Sequence, residues 1–165
     1  MTRKTLTTTR DTEAALRWIV RILQEGNIPF QITGGFAARM YGSMRALADI
    51  DIDVAGNRLN ELAELVKEYS KYGLQHYRDE QYDLMIIQLN YRGQDIDITP
   101  ETVNIFNLEK NEWVTSTSDL HKAMEQEIYG IKIPVIPAGE LIGYKLKLRR
   151  DVDLQDVEDL RRLGY

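Results

Sequence analysis

ITGGFAARMYGSMRALADIDIDV, residues 32–54, is the stretch on which the reading of this chain turns. Its final segment, DIDIDV (49–54), sets three aspartates at alternate positions with isoleucines between them. In a β-strand, side chains two apart share a face, so Asp49, Asp51 and Asp53 line one side while Ile50 and Ile52 line the other. Carboxylates placed this way sit about 6–7 Å apart. At an effective dielectric of ~20 each adjacent pair then repels by about 2.5 kcal/mol. Such a row is tolerable in water but costly in a cleft unless a cation or a proton neutralises it. The D-x-D-x-D spacing also suggests a calcium loop, but Val54 stands where that loop needs glycine and Asn60 where it needs glutamate. The intervening isoleucines suit a strand.

Upstream of the strand, Gly34-Gly35 ends a short apolar run over 28–33 and opens a helix over 36–41. A double glycine is most often a plain turn. Between a strand and a helix it also lets the backbone approach a ligand, with free amides that favour phosphate oxygens. Further out, Asp11 caps a helix whose stripe is Leu16, Ile19, Val20 and Leu23, closed by Gly26. Leu59, Leu62, Ala63, Val66 and Tyr69 repeat at helical spacing and stop before Gly73. Residues 84–89 and 94–99 pair as a hairpin across NYRG. After a less patterned stretch come a strand over 131–136 and helices over 138–149 and 153–163. Strands interleaved with helices predict a mixed α/β (α+β) domain with a short helical C-terminus. The expected layout is a flexible start over 1–10, a core over 11–136 and C-terminal helices over 137–165 packed on the same domain.

At 165 residues the chain can bury a real core. It carries a net charge of −5, so no global positive field draws in a polyanion. With no cysteine, disulfides and thiolate metal sites are excluded, which fits a cytoplasmic location. No apolar run reaches the ~20 residues of a membrane span, and MTRKTLTTTR lacks the apolar stretch of a secretory signal. No membrane partner is expected.

Two further groups carry chemistry. Asp95 and Asp97 share one face of the second hairpin strand, where a wet surface is the plainer reading. Lys145, Lys147, Arg149 and Arg150 gather at a helix end, with Lys145 and Arg149 on one side; a solvated face helped by the helix dipole is the plainer reading there. His76 and His121 stand apart from any motif, and Trp18 falls in the first helix's apolar repeat.

Taken together, a hydrophobic strand, Gly-Gly, D-x-D and a later third acid resemble the nucleotidyltransferase superfamily. The match runs through residues 32–54 and then QDIDITP (94–100). Within it the chain looks most like the small enzymes that nucleotidylate lincosamide or aminoglycoside antibiotics, which carry an arginine four residues before the first aspartate, as Arg45 precedes Asp49. IKIPVIPAGELIGYKLKLRRDVDLQDVEDL (131–160) looks like a tail of bacterial relatives: a strand, a helix with an internal lysine, then D-x-x-D. The resemblance implies a nucleotidyltransferase-like mixed sheet flanked by helices. It implies one or two Mg2+ ions on Asp49, Asp51 and Asp97, with Asp97 as general base and catalytic partner of the first two. Gly34 and Gly35 would cradle a triphosphate, with Arg45 and Lys145 as further nucleotide-binding residues. Asp97 is preferred to Asp95 because it sits between Ile96 and Ile98; Asp53 is left as a supporting or solvent-facing residue. The reaction would move a nucleoside monophosphate from an NTP, ATP as first expectation, to a hydroxyl of a small acceptor. Two alternatives stay open: an enzyme of toxin–antitoxin type acting on tRNA or protein, with the basic cluster as an RNA foothold, and a degenerate nucleotide-binding module. Leu47 replaces the threonine of R-x-T-x-D-x-D and Phe36 a tryptophan common after the glycines, which bears on the acceptor. Oligomeric state is not set by any of these residues.

Overall fold

The structure is a computed structural model that describes residues 9–165; most of the start expected to be flexible (1–10) lies outside the described residues. The chain opens on α1 (Thr12–Glu25), capped by Asp11, whose carboxylate accepts from the Ala14 N–H at 3.0 Å. Ala15, Leu16, Ile19, Val20 and Leu23 form its buried stripe. Then follow β1 (Phe30–Thr33), α2 (Gly34–Met40) and β2 (Asp49–Val54). The segment from Tyr41 to Ala48 between α2 and β2 has no regular structure. α3 (Leu59–Leu65) leads to β3 (Ser70–Arg78), β4 (Tyr82–Tyr91), β5 (Gln94–Pro100), β6 (Thr102–Asn107), β7 (Glu112–Thr117), β8 (Met124–Ile128) and β9 (Ile131–Val135). The chain closes on α4 (Ala138–Leu148) and α5 (Asp151–Arg162).

Among the described residues nine strands make one mixed sheet in the order β7-β6-β4-β5-β2-β1-β9-β8, with β3 paired to β4 off this row. β2 and β5 run parallel at its centre, while β1 is antiparallel to β2. Ile50 and Ile52 from β2 and Ile96 and Ile98 from β5 are fully buried against α1 residues such as Leu16 and Ile19 in one apolar core. This is the hydrophobic effect acting on a two-residue repeat: every second residue leaves water, and the aspartates between must face the other way. The opposite ends of the chain meet there, because Leu141 and Ile142 of α4 and Val157 and Leu160 of α5 join the same core.

The helical reading of 59–69 needs correction. The α-helix stops at Leu65, a 3-10 turn covers Lys67–Tyr69, and β3 begins at Ser70. Tyr69 instead packs its ring against Trp18 and Tyr91, both at 4.9 Å between centroids. The stretch without pattern, 100–130, contributes β6, β7 and β8, whose residues are mostly exposed or only partly buried. α5 begins two residues earlier than the apolar pattern suggested, since Asp153 accepts the Arg150 backbone N–H at 3.1 Å and so caps the helix from inside.

Candidate active site

The register of the two central strands brings the acids together. In the β2–β5 ladder Asp49 is opposite Asp95, Asp51 opposite Asp97 and Asp53 opposite Thr99. Neighbouring strands lie about 4.8 Å apart, so paired side chains on one face are in each other's field. β1 runs on the other side of β2 with Thr33 opposite Asp51, which delivers the Gly34-Gly35 turn to the same place. Gly34 has φ +61, a conformation that disfavours any side chain, and a Cβ there would lie 2.8 Å from Asp51 Cγ. At Gly35 an added Cβ would run into Arg45 Nη2. Both glycines therefore allow groups of the site to lie directly against the backbone.

A cavity of about 530 Å3 opens over this face. Gly34, Gly35, Arg45, Asp49, Asp51, Asp97 and Lys145 all line it, and so does Asp53. Asp95 does not: it is held aside by Lys71 Nζ at 2.7 Å and Asn90 Nδ2 at 2.8 Å. His76 lies elsewhere, 2.5 Å from Asp83, and His121 is exposed.

The electrostatics follow from burial and crowding. Burial, then repulsion from Asp97 and Asp49, pushes Asp51 up to about 7. Burial and the Asp49 charge push Asp97 up to about 6, against a weak pull from Gln88, whose Nε2 lies 3.4 Å away. Asp49 is raised by burial and by Asp95. For Asp95, burial acts upward but is outweighed by Lys71 and Asn90, so its carboxyl sits below the usual range. Asp53 is not solvent-facing. It is buried, it accepts from Gln31 Nε2 at 3.0 Å, and burial lifts it to about 6 despite hydrogen bonds from Gln31, Ser118 and Thr99.

The basic residues divide in an unexpected way. Lys145 is almost wholly buried and pairs with Asp156 at 2.9 Å and Asp153 at 3.3 Å. Arg45 forms a two-pronged contact with Asp156, Nε–Oδ1 at 2.9 Å and Nη2–Oδ2 at 2.8 Å. Arg150 bonds Asp153 at 2.7 Å and lines the cavity. Arg149, expected beside Lys145, lies past the end of α4 at φ +54 and is exposed. The D-x-x-D of the tail thus serves the cations of the cavity wall. Beyond the acids and cations the wall mixes apolar residues such as Ile86, Val103 and Val152 with hydroxyl-bearing ones, among them Tyr82, Ser116, Ser118 and Tyr144. These lay in stretches with no motif; Tyr144 sits one residue before Lys145 in a helix otherwise read for its lysine.

Among the described residues, no three His, Cys, Asp or Glu side chains are gathered tightly enough to be recognised as a metal cage. The donor set nevertheless suits a hard cation in kind: carboxylate oxygens only, drawn from two strands and left mutually repelling in a cavity. No described helix is long and apolar enough to cross a membrane.

No protein-family model and no curated protein matches the chain in sequence. Solved structures do match. A candidate nucleotidyltransferase from Thermotoga maritima superposes with a TM-score of 0.68 at 23% identity, over 93% of this chain and 94% of that one. The lincosamide antibiotic adenylyltransferase LnuA, bound to lincomycin, gives 0.65 at 16% identity over 94% and 100%. ANT(2")-Ia in complex with adenylyl-2"-tobramycin gives 0.56 at 20% identity over 93% and 88%. With its central D-x-D strand, its glycine turn and this shared architecture, the chain has the nucleotidyltransferase fold.

Proposed function

We propose that this chain is a metal-dependent nucleotidyltransferase that moves a nucleoside monophosphate from an NTP, ATP first, to a hydroxyl of a small acceptor. The observation that carries the reading is the parallel β2–β5 pairing, which sets Asp51 beside Asp97 under the Gly34-Gly35 turn. In this reading Asp49, Asp51 and Asp97 hold one or two Mg2+ ions. A bound ion offsets the crowded negative charge and polarises the phosphate oxygens. The backbone of Gly34 and Gly35 receives the triphosphate, and Arg45 and Lys145 add positive charge beside it.

The acceptor oxygen bonds to the α-phosphorus as the bond from that phosphorus to the bridging oxygen breaks. Pyrophosphate leaves with the electron pair. Asp97 accepts the hydroxyl proton. The part of the cavity lined by Tyr82, Val103 and Ser116 is left for the acceptor.

A small acceptor is preferred over RNA for a specific reason. The basic cluster offered as an RNA foothold is broken up: Lys145 is buried and Arg150 is engaged by Asp153. The cavity wall also carries Asp79 and Glu101 in addition to the central acids, a poor match for a polyanion. LnuA and ANT(2")-Ia, with lincomycin and adenylyl-2"-tobramycin in their structures, support small hydroxyl-bearing compounds as the first acceptors to try.

The test is incubation with each α-labelled NTP, Mg2+ and a panel of hydroxyl compounds, tRNA and proteins. Label should pass to a small compound and be lost in Asp51→Ala and Asp97→Ala. Transfer that survives both substitutions, or that goes only to tRNA, would reject the assignment.

A further inference from the structure

Asp156 stands apart from the row of carboxylates and does not line the cavity. Its side chain is fully buried, yet it faces three separate partners. Arg45 contacts it through two nitrogens at 2.9 and 2.8 Å, Ser43 Oγ donates to it at 3.0 Å, and Lys145 Nζ lies 2.9 Å away. Ser43 and Arg45 both belong to the irregular segment between α2 and β2. One turn further along α5, Asp159 Oδ2 lies 3.0 Å from the same hydroxyl, so the two carboxylates share its one proton. A helix at the far end of the chain therefore grips the loop that leads into the aspartate strand.

The grip fixes Arg45 from one side, and the glycine turn bounds it from the other. A Cβ at position 35 would stand 3.4 Å from Arg45 Cζ and closer still to Nη2. Arg45, Lys145 and Arg150 line the cavity beside Asp51, and Asp153 and Asp156 pair with all three of them. Without Asp156, the long Arg45 side chain would keep only a 3.3 Å bond to the carbonyl of its neighbour Ala46.

We infer that Asp156 is a positioning residue for the nucleotide: it sets the Arg45 guanidinium against the Gly34-Gly35 turn and anchors residues 41–48 without touching the substrate. This rests on the nucleotidyl-transfer reading only for its kinetic consequence; the anchoring itself is independent of it.

A double-mutant cycle on the intact chain tests it. The KM for the nucleotide would be measured in wild type, Asp156→Asn, Arg45→Ala and the double variant. Asp156→Asn should raise KM by about tenfold in the wild-type background, and by less than about twofold when Arg45 is already absent. Equal factors in both backgrounds would mean that Asp156 merely supports the fold, and would overturn the inference. Lys145 keeps Asp153 as a partner in Asp156→Asn; should that variant not fold, Asp156→Glu takes its place in the cycle. Backbone amide exchange supplies a readout that needs no activity. Amides of 42–48 should exchange faster in Asp156→Asn than in wild type, and at the wild-type rate in Glu158→Ala, whose partner is the exposed Arg162. Unchanged protection of 42–48 in Asp156→Asn would overturn the inference even if wild type shows no transfer, a result that by itself would reject only the proposed activity.

Discussion

Replacing Asp51 by asparagine should stabilise the metal-free protein at alkaline pH. The carboxyl is lifted from 3.8 to about 7, first by burial and then by Asp97 and Asp49. A raised acid favours the folded state in its protonated form. Its contribution is therefore complete below the unfolded value near 4 and is lost as pH climbs through about 7. Lifting the carboxyl from 3.8 to about 7 costs its ionised form at most about 4 kcal/mol in the folded state. Asp51 is partly exposed to an open cavity, and water there screens the charge, so about 2 kcal/mol is the working magnitude. Asparagine keeps the shape and removes the charge. Urea unfolding of metal-free wild type and Asp51→Asn, at about pH 3 (below the unfolded value) and about pH 8.5, reads the difference directly. The variant should match wild type within about 0.5 kcal/mol at the lower pH and exceed it by about 2 kcal/mol at the higher one. An equal or lower stability of the variant at pH 8.5 would refute the claim that these carboxylates crowd one another.

Other consequences can be checked in parallel. Gly34→Ala forces a side chain to φ +61 and against Asp51; it should lose about 1–2 kcal/mol from the backbone alone and abolish label transfer, both measurable on one purified sample. Lys145→Met leaves Asp153 and Asp156 short of a buried partner, and thermal unfolding should report a loss of about 3–5 kcal/mol. The pH dependence of kcat/KM should show an acid limb, because Asp97 must be deprotonated to accept a proton. The limb should lie at or below about 6, lower at saturating Mg2+ since a nearby cation favours the carboxylate. An unshifted limb in Asp97→Asn would assign the proton acceptor elsewhere.

Much of the centre of the molecule could be read from residues 32–54 and 94–100, because the two physical demands there are local and opposite. Ile50, Ile52, Ile96 and Ile98 must leave water, and the alternating aspartates must not share their face. The parallel pairing of β2 with β5 in register is what the structure adds, because no residue pattern fixes the register of two strands so far apart in the chain. The outer strands were illegible for the converse reason. β3 and β7 expose most of their residues, so no alternation is enforced, and Tyr69 copied a helical repeat while packing on Trp18 and Tyr91. The partners of Lys145 were equally hidden. A lysine in the last turn of a helix is usually a surface residue, and only the fold of α5 back onto α4 shows that Asp153 and Asp156 enclose it. Asp53 stood in the same row as its neighbours, but its hydrogen bond to Gln31 across β1 depends on a strand pairing that spacing alone does not specify.

Titration with Mn2+ as a paramagnetic substitute for Mg2+, followed by its loss of free-ion signal, probes the shared site itself. Wild type and Asp95→Asn should bind the ion alike, while Asp51→Asn and Asp97→Asn should each weaken it by at least about tenfold, the loss of one charged ligand. Full binding by Asp97→Asn, or its disappearance in Asp95→Asn, would contradict the account.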